Sequence, residues 1–171
     1  MNESITIKEL YSLDRTIAAS VFDGCIYPWE VLSKIGDYIV ELGRTLPEDE
    51  YIKKDGNVWI HKEADVFESA YIAGPAIICK GAQIRHCAFI RGKAIVGEGA
   101  VVGNSTELKN VILFDGVQVP HYNYVGDSIL GYKAPIFLIP VSTFPSGPLM
   151  VVSFLSDLTL DVIEPAPICA L

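Results

Sequence analysis

"AYIAGPAIICKGAQIRHCAFIRGKAIVGEGAVV", residues 70–102, decides the fold. Alanine returns at every sixth place: Ala70, Ala76, Ala82, Ala88, Ala94 and Ala100. Two residues after each stands a branched aliphatic: Ile72, Ile78, Ile84, Ile90, Val96 and Val102. The phase extends back through Val66, with Ala64 before it, to Ile60, and forward to Leu108. A helix has no six-residue period, and strand alternation does not demand alanine at one fixed phase. A six-residue unit with one aliphatic and one small residue marks a β-helical solenoid. Three short strands then make a triangular coil of about 18 residues, and coils stack at roughly 4.8 Å. The aliphatic fills the interior and the small residue fits a tight inward corner. A β-sandwich with accidental phasing is the alternative, and nine phased aliphatics in a row disfavour it. After Leu108 the phase slips by one residue, to Leu113, Val119 and Val125. The pattern therefore predicts about four coils over residues 58–131, and it stops at Pro135.

Three sections follow: residues 1–56, a solenoid over 57–133, and a tail over 134–171. In the first, "PWEVLSKIGDYIVELG" (28–43) predicts a helix, with Pro28 at its first position and Gly43 as its stop. Val31, Leu32, Ile35, Tyr38, Ile39 and Leu42 share one face, which suits packing on another surface. The tail carries no Lys, Arg or His and six of the ten prolines. Within it "PIFLIPVSTFPSGPLMVVSFL" (135–155) reads poorly as a membrane span, because four prolines interrupt it.

The 171-residue chain is 50% hydrophobic with a net charge of −8. It has a real core and is a poor partner for nucleic acid, so an anionic ligand must be met by a few local cations. Cys25, Cys79, Cys87 and Cys169 form no CxxC pair and read as reduced structural thiols. "MNESITIKEL" (1–10) lacks a basic region followed by an apolar run, so the expected compartment is the cytoplasm.

Column arithmetic singles out several polar residues. Arg91 and Lys109 are 18 residues apart and each follows an inward aliphatic, Ile90 or Leu108. They are expected in one column on adjacent coils, where two cations repel unless an anion lies between them. A phosphate suits that place, with arginine as a planar fork and lysine as a point charge. The alternative is a solvated pair with Glu107 or Asp115 nearby. His121 shares a column with Asn104 and His86; it suits a general base, or a surface position on a polar stripe. His61 and His86 read as surface residues. Tyr124 and Asp127 flank Gly126 at a solenoid corner, where Asp127 can cap the turn.

The segment "GNSTELKNVILFDGVQVPHYNYVGDSILG" (103–131) resembles the left-handed β-helix acyltransferases. It is most similar to the acetyltransferase domain of the bifunctional N-acetylglucosamine-1-phosphate uridyltransferases. The family shows Gly-Asn, Glu-aliphatic-Lys, a one-residue slip, His-x-x-Tyr-aliphatic-Gly-Asp, then aliphatic-Gly. Gly103, Asn104, Glu107, Leu108, Lys109, His121, Tyr124, Val125, Gly126, Asp127, Leu130 and Gly131 match in order and spacing. The resemblance implies a left-handed parallel β-helix, an all-β solenoid with a helical N-terminal segment and an irregular tail. It implies His121 as general base, Arg91 and Lys109 as ligands of a sugar phosphate, and Tyr124 as a sugar contact. It also implies acetyl-CoA as acyl donor, a homotrimer with sites between neighbouring solenoids, and a place in UDP-N-acetylglucosamine metabolism. It does not carry over the uridyltransferase activity, whose glycine-rich, arginine-bearing loop has no counterpart here.

The sequence departs from the family after residue 134. An active-site asparagine would fall on Pro135, and no hexapeptides continue toward an acetyl-CoA site. Two accounts of the tail stand open, a native apolar appendage and the product of a reading-frame shift near codon 134. Two other functions also stand beside the acyltransferase: a non-catalytic sugar-nucleotide-binding or assembly module, and a zinc enzyme like the γ-type carbonic anhydrases. The zinc enzyme is disfavoured. His86 and His121 should lie two coils apart, roughly 10 Å, too far to share one zinc within a subunit.

Overall fold

A computed structural model of the chain describes residues 5–134. The tail and the position of Pro135 lie outside the described residues. Within them are two α-helices, α1 (Ile7–Leu10) and α2 (Ile35–Gly43), and a run of short strands. In chain order the strands are β1 (Tyr51–Lys54), β2 (Val58–His61), β3 (Asp65–Val66), β4 (Tyr71–Ile72), β5 (Ala76–Ile78) and β6 (Gln83–Ile84). They continue as β7 (Phe89–Ile90), β8 (Ala94–Val96), β9 (Val101–Val102), β10 (Glu107–Leu113), β11 (Gln118–Val119) and β12 (Tyr124–Leu130).

From β2 onward every pairing is parallel, and the strands stack into a β-solenoid of about four coils with three faces. On the first face Ile60, Ile78, Val96, Leu113 and Leu130 stand in register. On the second stand Val66, Ile84, Val102 and Val119. On the third stand Ile72, Ile90, Leu108 and Val125. These are the phased aliphatics, and from Ile78 to Leu113 all of them are fully buried. The alanines at the inward corners, Ala76, Ala82, Ala88, Ala94 and Ala100, are buried too. The one-residue slip has a structural cause. The corner Arg91–Gly92–Lys93 shortens to Lys109–Asn110 one coil later, and β10 runs straight through it. β12 does the same across Gly126–Asp127, which joins the first and third faces into one sheet.

The outward residues make the three faces different. The third face turns Tyr71, Phe89, Glu107 and Tyr124 outward; the second turns Asp65, Gln83, Val101 and Gln118. The first turns out Trp59, Ile77, Ile95, Ile112 and Ile129, none more than 4% exposed. Residues 5–50 cover them. Helix α2 lies across β5, β8 and β10, burying Ile35 and Ile39, with Val31 just before it. Beside it Tyr11, Phe22 and Phe114 form an aromatic cluster with ring centres 5.4–5.9 Å apart. The Tyr11 hydroxyl donates to the Ile129 carbonyl at 3.2 Å. Each isoleucine side chain removed from water contributes about 1.5–3 kcal/mol, so the N-terminal segment and the coils share one core.

Two local features differ from the sequence expectation. The helix over 28–43 is split. Pro28–Glu30 forms a 3₁₀ turn, and three-residue bonds such as Lys34 N–H to Val31 O continue it before α2 begins at Ile35. The Glu30 carboxylate opens this element by accepting the N–H groups of Ile26 (2.7 Å) and Tyr27 (3.0 Å). The helix does end at Gly43, although in right-handed backbone and not as a left-handed cap, and the missing side chain makes room for the Trp59 ring. The second difference is β1, which pairs antiparallel with β2 through the turn at Asp55, Gly56 and Asn57. An Asp-Gly hairpin signal was present in the sequence. No helix among the described residues is long and apolar enough to cross a membrane.

Candidate functional site

Ile90 and Leu108 are register partners, so Arg91 and Lys109 follow them on adjacent coils. Both line one open hollow of about 280 Å³ at the corner between the third and first faces. Its floor is glycine. Gly92 has φ 108°, and a Cβ there would come within 2.6 Å of the Gly74 carbonyl oxygen. Only glycine permits that backbone at that separation.

Each cation already has a carboxylate partner. Arg91 Nη1 lies 2.7 Å from Glu107 Oε1, and Lys109 Nζ lies 3.6 Å from Asp127 Oδ2. All four side chains are between a third and about half exposed. Of the two carboxylates expected near the cations, Glu107 is there. Asp115 instead accepts the Glu98 N–H at 2.8 Å, and Asp127 takes the second place.

Two lining residues were not singled out from the sequence. Asn110 is the corner residue before Val111, as Lys93 is before its register partner Ala94, and the two share one backbone conformation, φ 54° and 53°. Its Nδ2 donates to Asp127 Oδ1 at 2.8 Å, whereas its Oδ1 is buried and has no hydrogen-bond partner. Lys93 lies beside it, and among the described residues it enters no ion pair. Nothing in the sequence distinguished either residue.

His121 is exposed in the turn before β12. The Asn123 amide braces that turn, donating to the carbonyls of Pro120 (2.9 Å) and His121 (3.1 Å), and Thr106 Oγ1 donates to Pro120 O at 2.7 Å. The column His86, Asn104, His121 forms as the spacing predicts: Ser105 N–H bonds His86 O, and Tyr122 N–H bonds Asn104 O. His121 and Tyr124 do not line the hollow. Tyr124 is exposed at the start of β12, with its hydroxyl end lying over Gly126, next to Asp127. The structure thus brings Arg91 and Lys109 together, sets Tyr124 on the strand that leads to their hollow, and leaves His121 in the turn before that strand.

His86 is exposed, with Nδ1 2.6 Å from Ser69 Oγ. His61 is not at the surface. It is 6% exposed because Tyr51, its register partner on β1, covers its ring edge-on at 5.0 Å. Its Nδ1 accepts the Glu63 N–H at 3.0 Å. The described residues contain no group of three His, Cys, Asp or Glu placed to hold a metal ion.

No protein-family model matches the chain. Over 30 residues it is 57% identical to the bifunctional protein GlmU of Methanococcus maripaludis strain C5, and equally to that of strain S2. The stretch is 18% of this chain and 7% of the relative, so the match spans a small fraction of the relative's length.

Proposed function

We propose that this chain is a sugar-phosphate-binding solenoid related to the GlmU acetyltransferases. Its substrates would be a glucosamine 1-phosphate-like amino sugar and acetyl-CoA, and its working form a homotrimer of left-handed coils. The observation that carries this reading is the pair Arg91 and Lys109, on adjacent coils and lining one hollow. Their ion pairs with Glu107 and Asp127 do not oppose it. Exposed pairs of this kind are worth about 0–1 kcal/mol, so a phosphate dianion accepting charge-assisted bonds from both cations displaces them readily.

In this reading Arg91 and Lys109 hold the phosphate and thereby position the amine, lowering the entropy lost in the reacting complex. His121 takes a proton from the amine as its nitrogen attacks the thioester carbonyl. The N–C bond forms, the C–S bond breaks, and the proton passes to the departing thiolate. Tyr124, exposed on β12, offers a ring face to the sugar. The family's acetyl-CoA-binding coils would follow Pro135, where this sequence carries no hexapeptides, and those positions lie outside the described residues.

Pro135, standing where the family carries an asparagine, favours the second reading, a sugar-nucleotide-binding or assembly module without turnover. A thiol-release assay with acetyl-CoA and glucosamine 1-phosphate separates the two. Turnover that disappears in His121→Ala supports the acyltransferase. Sugar-phosphate binding with no thiol release supports the module, and absence of both refutes the two together.

A further inference from the structure

The hollow holds two features that the pair Arg91 and Lys109 leaves unused. Asn110 is 8% exposed, and its Oδ1 is a buried acceptor with no partner. The orientation of its amide is fixed, because Nδ2 donates to the Asp127 carboxylate at 2.8 Å; the opposite flip would set two oxygens against each other. A buried acceptor left unpaired in a folded protein calls for a donor. Lys93 is the second feature. Among the described residues it is the one cation of the hollow without a carboxylate partner, while Arg91 and Lys109 are both paired. Its aliphatic stem packs against Gly36 of α2, where an added Cβ would stand 3.3 Å from Lys93 Cδ and Cε. The covering helix thus steadies this side chain. Lys93 and Asn110 sit on adjacent coils, tied by the bonds Asn110 N–H to Gly92 O (3.2 Å) and Val111 N–H to Lys93 O (2.9 Å).

We propose that Lys93 and Asn110 form the selective end of the hollow. Lys93 supplies the free positive charge for a phosphate monoester, and Asn110 Oδ1 accepts a hydrogen bond from a hydroxyl or amine of the same ligand. This deepens the sugar-phosphate reading above and rests on it for the ligand class. The glycine floor at Gly74 and Gly92 leaves the space, and the half-exposed Arg91 and Lys109 side chains line the same hollow as Asn110. Charge attracts any phosphate, whereas the asparagine oxygen rewards only a ligand with a donor beside it.

The test is calorimetric titration of the full chain with two probes, inorganic phosphate and glucosamine 1-phosphate. Lys93→Gln should weaken both probes about tenfold or more. Asn110→Gly, which suits the positive φ of 54° at this corner, should weaken glucosamine 1-phosphate about tenfold and leave phosphate unchanged. Circular dichroism confirms that each variant is folded. Wild-type affinity in both variants, as when water alone satisfies Oδ1, overturns the proposal. So does a wild-type chain that binds neither probe. Failure of the acyltransferase reading looks different: both variants behave as stated, but wild type releases no thiol from acetyl-CoA.

Discussion

Trp59 lies over Gly43 so closely that a Cβ on the glycine would meet three indole carbons at 2.5 Å. The contact clamps the end of α2 to the first coil. Gly43→Ala should therefore overpack the junction and lower stability by about 1–3 kcal/mol, although alanine is the better helix former. Urea denaturation measures it; a variant as stable as wild type would show that the clamp relaxes freely.

Ala100 is fully buried at an inward corner between Val96 and Val102. Ala100→Leu should cost about 1–3 kcal/mol by overpacking, and Ile90→Ala, inside the third-face column, about 2–5 kcal/mol by leaving a cavity. Equal stability of all three proteins in chemical denaturation would contradict the packing described.

Arg91→Ala and Lys109→Ala should separate binding from stability. Each exposed ion pair contributes about 0–1 kcal/mol to folding, so the melting temperature should move little. Each lost charge-assisted bond to phosphate should weaken glucosamine 1-phosphate by about 1.5–3 kcal/mol, tenfold or more. Calorimetry that finds unchanged affinity in both variants would remove the phosphate site.

Asp115 gives a pH signature. Partial burial raises its carboxyl above the usual range; the Glu98 N–H bond opposes this, the Glu98 charge adds to it, and Arg15 opposes it. The folded protein then holds the proton more tightly than the unfolded chain. Its contribution to stability is fully present below the unfolded value of about 3.9 and is lost as pH rises through the folded value. Asp115→Asn keeps an acceptor for the Glu98 N–H and removes the charge. Its melting temperature should exceed wild type at pH 7, with the gap closing toward about pH 3. A gap that does not change with pH would rule out this cause.

Burial pushes the Cys79 thiol up to about 12, while Cys87 is exposed. Brief alkylation at about pH 8 followed by peptide mapping should label Cys87 and spare Cys79 until denaturant is added. Early modification of Cys79 would mean that the second coil opens readily.

The inward columns were legible because each coil places its core residues at one phase, and nine phased aliphatics in a row leave an accidental repeat in a β-sandwich a poor explanation. The outward column Trp59, Ile77, Ile95, Ile112 and Ile129 was written one residue earlier in the same repeat. It was missed because outward positions of a coil are normally polar, so the link between these coils and the N-terminal helix stayed unseen. Spacing placed Arg91 beside Lys109, since backbone register follows the repeat. It did not place Glu107 on Arg91 or Asp127 on Lys109, because long charged side chains choose partners by rotamer. Lys93 and Asn110 were illegible for a related reason. Their interest lies in what they fail to contact, and an unpaired atom leaves no trace in a sequence.

The covered first face also limits how copies of this protein can meet. A three-sided prism ordinarily offers three walls to its neighbours, but here one wall is occupied by residues 5–50 of the chain itself. A ring of copies that packs coil against coil would use the other two, the wall of aromatic side chains and the largely polar one. Both of those border the corner that carries His121, and the aromatic wall ends at the hollow of Arg91 and Lys109. Assembly and ligand binding would therefore compete for, or share, the same edges.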